Sequence, residues 1–184
     1  MRLTVIGRKT IGQYYKPVIL ADDKTTPEAW VHSHDMENGL KLMEHSWILN
    51  EFVRAFESLI LNNPKRVVWA GDYAEPVMEQ TENTYDLCTD VTKIIPEQKV
   101  KLSESRYIVN HTKQEYVDKQ AVPNKDGWRI HPLPLLTCEG NGEGGGDYYG
   151  TNGENYIGFW SRDVISVQGT KPKGYAQIKP NFAK

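Results

Sequence analysis

Large apolar side chains at Leu49, Phe52, Val53, Phe56, Leu59 and Ile60 recur at the spacing of one helical face, and this stripe limits the fold more than any other feature. Asn50, Glu51, Arg54, Glu57 and Ser58 fall on the opposite, polar side. The Asn62-Asn63-Pro64 sequence ends the pattern, because proline cannot donate to the helical ladder and restricts the residue before it. The pattern predicts a helix over about residues 40–62. Burying its stripe is worth on the order of 10 kcal/mol gross, at roughly 1.5–3 kcal/mol per side chain. RVVWAG, residues 66–71, follows at once as a short apolar run stopped by Gly71-Asp72, which reads as a buried strand. Helix, strand and turn in that order predict one principal amphipathic helix packed on a largely antiparallel, twisted sheet: an α+β fold.

Further strands are expected near residues 2–6, 16–21, 106–110, 114–118, 129–136 and 156–167, alongside 66–70. Pro132 and Pro134 limit the 129–136 segment to an edge or extended irregular strand. Residues 21–38 and 74–104 read as loops, and the tail from Gly169 as a surface strap. No internal repeat is visible, and 184 residues suit a single globular domain covering 1–184. Twenty-two basic and twenty-four acidic side chains, without a basic block, argue against a long nucleic acid as partner. Cys88 and Cys138 match no metal or redox spacing and read as reduced thiols. With no leader-like or membrane-length apolar run, the expected location is the cytoplasm, away from membranes. A homo-oligomer stays open.

Between two apolar runs, residues 137–155 place seven of the fifteen glycines among Glu139, Glu143, Asp147 and Glu154. So many glycines imply a backbone that turns sharply or lies close against something, so a ligand is expected here. Gly140, Gly142 and Gly145 formally make a GxGxxG motif, but the following DYYGTNGEN lacks helical period and the acids would repel a pyrophosphate. Glu139, Glu143 and Asp147 could instead supply oxygens to a divalent cation; the alternative is a solvated acidic loop. The sequence calls for no cofactor.

His45, Asp72, His111, His131 and Asp147, with Glu44, form the pool from which an acid–base site could be drawn if they converge. His32, His34 and Asp35 have the residue types of a metal site, and Cys138 with His131 those of a nucleophile pair; exposed loop and structural roles are the plainer readings. Trp128, Tyr148, Tyr149 and Trp160 offer aromatic faces for a base or ring, with Arg129 or Arg162 as a cation for phosphate. Core filling is the competing role for these rings.

Three blocks, MEHSWILNEFVRAFESLILNNPKRVVWAGDYAEP, SRYIVNHTKQEYVDK and DGWRIHPLPLLTCEGNGEGGGDYYG, resemble a group of small proteins encoded by phages, large viruses and scattered microbes. The resemblance brings no activity or catalytic residues. Its phage association implies an accessory or host-defence-countering role. The expectation is a small soluble, non-enzymatic protein holding a nucleotide-like ligand in the host cytoplasm. The alternatives are a histidine- or metal-dependent hydrolase or lyase acting on a nucleotide, and a structural or protein-interaction component.

Overall fold

The computed structural model describes residues 12–124, 126–151 and 153–183. Its eight strands are β1 (Tyr15–Leu20), β2 (Pro27–Trp30), β3 (Lys65–Gly71), β4 (Thr92–Lys93), β5 (Tyr107–Asn110), β6 (Glu115–Asp118), β7 (Val164–Gln168) and β8 (Ala176–Gln177). They form one sheet in the order β4-β2-β1-β3-β7-β5-β6-β8. Pairing is antiparallel except at the two margins, where β4 lies parallel to β2 and β8 parallel to β6. Four short helices accompany it: α1 (Leu42–His45), α2 (Glu51–Leu59), α3 (Thr84–Leu87) and α4 (Pro132–Thr137). The class is α+β, as the periodicities predict.

All six residues of β1 are buried, because the sheet is covered on both faces. Tyr15 and Ile19, with Val67 and Trp69 of β3, pack under α2 and α4. The alternate residues Val18, Leu20, Val68 and Ala70 form a second cluster with Trp30 and Cys88. The period-2 alternation of a strand thus serves two cores. Lys16 also points into the second layer. Its Nζ donates to the Tyr85 carbonyl and Thr89 hydroxyl, both at 3.0 Å, and sits 3.8 Å from the Tyr85 ring centre.

The predicted helix over 40–62 is divided. Phe52, Val53, Phe56 and Ile60 are fully buried as the stripe requires, but Leu49 has φ 75° and is 59% exposed. Asn50 caps α2 by accepting from the Phe52 and Val53 N–H groups. Residues 46–48 pair instead with 129–131: Ile48 N–H donates to the Arg129 carbonyl and His131 N–H to the Ser46 carbonyl. Tertiary pairing and a cap together outweigh the local helical pattern. Glu57, expected on the solvent side, is completely buried.

The strand expected over 129–136 is another correction. Pro132 and Pro134 lie in the first turn of α4, where backbone N–H groups have no intrahelical acceptor and proline loses nothing. The strand expected over 156–167 begins only at Val164, after turns that include Gly158. There φ is 68°, and a Cβ would lie 2.7 Å from the Cys138 carbonyl oxygen. The loop expected over 21–38 contains β2, the stretch 74–104 contains α3 and β4, and the tail contributes β8. The strand expected at 2–6 lies outside the described residues. Among the described residues, no helix is long and apolar enough to cross a membrane.

Candidate functional site

Two chain segments arrive side by side at one end of the helical layer. The first is the turn before β-bridged Ile130. Asn124 accepts from Gly127 N–H at 2.9 Å, Asp126 and Gly127 have φ of 50° and 87°, and the turn leaves Trp128 61% exposed. Trp47, from the interrupted helix, bridges Ile130 and lies against Trp128 with ring centres 5.3 Å apart. Its indole N–H donates to the Met43 carbonyl, fixing the ring.

The second segment is the glycine loop, which starts where Cys138 bridges Trp69 of β3. It folds around its own carboxylate. Asp147 Oδ2 accepts from the N–H groups of Gly142, Glu143 and Gly144 at 2.8, 3.1 and 3.0 Å, and Oδ1 from the Tyr15 hydroxyl at 3.0 Å. Asn141 and the Tyr148 backbone exchange two hydrogen bonds, as an internal strand pair would. Close packing accounts for Gly144, where a Cβ would lie 2.4 Å from the Gln13 backbone nitrogen. Gly140 has φ of 82° and would meet the Ala74 nitrogen at 2.9 Å. The neighbour these glycines accommodate is the protein itself.

Three adjoining depressions run along these segments, the second of them lying between the two. One of about 630 Å³ is lined by Glu44, Trp47, Ile48, Leu49, Asn50, Gly127, Trp128 and Arg129. Across the Trp47–Trp128 wall, one of about 500 Å³ is bounded by Met43, Asp126, Ile130, Asp147, Tyr148, Tyr149, Gly150, Thr151 and Phe182. A third of about 450 Å³ continues past the two tyrosines to Asn141, Gly142, Glu154 and Ile157. Tyr149 is 65% exposed, and its hydroxyl is tied to the Gly144 carbonyl at 2.6 Å, so the ring stands as a fixed wall. Tyr148 is buried against Phe182, with its hydroxyl on the Phe182 carbonyl.

Of the residues the sequence nominated for a ligand, Gly142, Trp128, Arg129, Tyr148 and Tyr149 line these depressions. Gly140 and Gly145 do not. Trp160 is fully buried, donating to Glu115 at 2.9 Å. Arg162 is also internal, clamped by both Glu139 oxygens, the Lys24 carbonyl and the Thr84 hydroxyl. Its charge is matched by Glu139 and is not directed toward the depressions. Trp47, Met43, Asp126 and Phe182 are lining residues that sequence reasoning missed. The helical stripe drew attention past Trp47, and nothing local marks Phe182, which lies 34 residues from its partner Tyr148.

The acid–base pool is dispersed. His45 is fully buried under Trp69; its Nε2 accepts from the indole N–H at 2.9 Å while Nδ1 faces the Gly39 carbonyl at 3.1 Å. Burial pushes its pKa down to about 4, against a smaller opposing effect of the Gly39 carbonyl. His131 Nδ1 accepts from Leu133 N–H as the cap of α4, and its Nε2 lies 3.1 Å from Glu57. His111 contacts Ser166 and Tyr175 on the other side of the sheet. Asp72 accepts from Tyr14 N–H, with burial raising its carboxyl pKa. Cys138 donates to the Leu135 carbonyl, and burial holds its thiol well above the usual range.

Neither proposed cation set assembles. His32 accepts from His34 N–H and Asp35 pairs with Lys93, while Glu139 and Asp147 are engaged as above. Among the described residues, no group of three or more His, Cys, Asp or Glu side chains is placed to hold a metal ion.

One buried polar cluster was not legible in advance. Glu57 meets Lys119 Nζ at 2.5 Å and accepts from the Ser105 hydroxyl at 3.1 Å, all three side chains being sealed from solvent. Burial by itself would raise the Glu57 pKa; the Lys119 ammonium and His131 outweigh it and hold the carboxyl well below the usual carboxylate range. Arg129 donates to the Lys119 carbonyl, so this cluster supports the segment that carries Trp128.

Compared with known proteins, the chain matches no family model, and no curated protein or solved structure gives a significant match.

Proposed function

We propose that this protein is a non-enzymatic binding protein that holds a small organic ligand against the aromatic faces of Trp47, Trp128 and Tyr149. One observation carries the reading: two large rings stand more than half exposed, at 61% and 65%, along a row of depressions of ligand size. Tyr149 is fixed by its hydrogen bond to the Gly144 carbonyl and Trp128 packs on Trp47, so little side-chain freedom is lost when a ligand stacks there. Binding without turnover is favoured because His45, His131 and Cys138 are buried and engaged in structural hydrogen bonds away from the depressions. A nucleotide-like ligand is the specific form drawn from the sequence, with sequestration of a host-defence signal as the role implied by the phage resemblance. Arg129 would be its phosphate partner.

The test is titration of linear and cyclic mononucleotides, dinucleotides and small organic cations, followed by tryptophan fluorescence and by chromatography of the mixtures. The expected result is saturable quenching with the compounds recovered intact. Conversion to products would establish the hydrolase or lyase reading instead, and absence of quenching by every compound would remove the aromatic cleft as a binding site.

A further inference from the structure

We infer that the depression between Trp128 and Tyr149 selects a small organic ammonium ion of choline size; this inference rests on the aromatic-cleft binding reading above and departs from its nucleotide form. The charges around the site carry the argument. Among the described residues, the charged groups lining the second and third depressions are carboxylates: Asp126, Asp147 and Glu154. Arg129 lines the first depression only, together with Glu44, and its guanidinium is already donating to the Lys119 carbonyl. Asp147 Oδ2 is already taken up by three backbone N–H groups. Asp126 differs: it is exposed on the turn beside Trp128, and no ion pair or hydrogen bond engages its carboxylate among the described residues.

A ring face carries negative electrostatic potential, so a cation of low hydration gains from Trp and Tyr faces together. A carboxylate at the rim adds to that attraction, and the same carboxylates disfavour a phosphate. A quaternary ammonium fits both features, since its methyl groups are apolar enough for Met43, Ile130 and Phe182 while its charge answers Asp126. The volume of about 500 Å³ is within the range that encloses small molecules.

The experiment compares choline with 3,3-dimethyl-1-butanol, which has the same shape but no charge, and with adenosine monophosphate, all by calorimetry on the full chain. Choline is expected to bind at least ten-fold more tightly than the neutral analogue, with the preference weakening as salt is raised. Asp126→Asn should remove most of that preference and leave the neutral analogue unchanged. Asparagine tolerates the positive φ of this position, so the fold is retained. Trp128→Ala should abolish binding of both compounds. Equal affinity for choline and its neutral analogue, or an unaltered preference in Asp126→Asn, would overturn the charge selection while leaving an apolar binding cleft. Tighter binding of adenosine monophosphate than of choline would overturn it in favour of a nucleotide. If none of the three binds, the choline proposal fails, while the wider panel still decides whether the cleft binds anything.

Discussion

The glycine loop and the turn at 126–128 share the second depression but are held in opposite ways. The loop contains its own anchor, Asp147, and closes three N–H groups and a tyrosine hydroxyl onto it. Among the described residues, the turn has Asn124 as its internal anchor and rests on what lies beneath. Ile130 is bridged to Trp47, Arg129 is tied to Lys119, and His131 adjoins the buried Glu57. The difference shows that glycine density and ligand exposure are separate properties. The glycine-rich segment turns Asp147 and Asn141 onto its own backbone, yet each segment presents one open ring, Tyr149 from the loop and Trp128 from the turn.

Removing the turn's foundation should have the largest effect. Glu57→Ala leaves the Lys119 ammonium buried without its counter-charge, and such a loss costs about 3–5 kcal/mol. Urea unfolding should show this destabilisation, and binding should fall with it because the support for Trp128 is lost.

Acid probes the floor shared by both segments. His45 is held neutral in the fold, with a pKa of about 4 against about 6.5 in an unfolded chain. The unfolded chain therefore binds the extra proton first as pH falls, so the contribution is complete above about pH 6.5 and is lost progressively toward pH 4. The full difference is roughly 3 kcal/mol. Chemically, an imidazolium cannot accept from the Trp69 indole N–H. Unfolding measured between pH 7 and 4 should show this slope, and His45→Gln should flatten it.

Asp147→Asn tests the loop from within. One charged acceptor serving three N–H groups is replaced by a neutral amide, at an expected cost of about 1–3 kcal/mol. Amide exchange at Gly142, Glu143 and Gly144 should accelerate more than exchange in β1 or β3. At the small end, Trp128→Ala should change stability by no more than about 0.5–1 kcal/mol, since the ring is largely exposed. Its effect on ligand retention should be far greater than on melting temperature; comparable losses in both would merge turn and loop into one structural unit.

The same contrast governs what could be read in the sequence. The buried face of α2 and the core of β3 were legible because Phe52, Val53, Phe56, Ile60, Val67 and Val68 follow local periods. The division of the helix was not, since it depends on residues 46–48 pairing with 129–131, some eighty positions away. Glu57 has a helical position that looks solvated, and partners far along the chain, chief among them Lys119, 62 residues on, make its burial tolerable. Trp128 and Tyr149 were marked as candidate rings by their glycine neighbours. Trp160 and Arg162 carried a similar local signal, yet Glu115 and Glu139 draw them inside. Local chemistry identifies residues able to meet a ligand; long-range pairing decides which of them are left facing outward.

The two-residue strands at the margins of the sheet have a consequence for behaviour in concentrated solution. Among the described residues, β4 and β8 each offer only a two-residue template at the sheet's rim; both are exposed, with Lys93 inside β4 and Lys179 two residues after β8. A neighbouring molecule seeking to extend the ladder would find almost no length to zip onto, so growth into fibrils is obstructed at either rim.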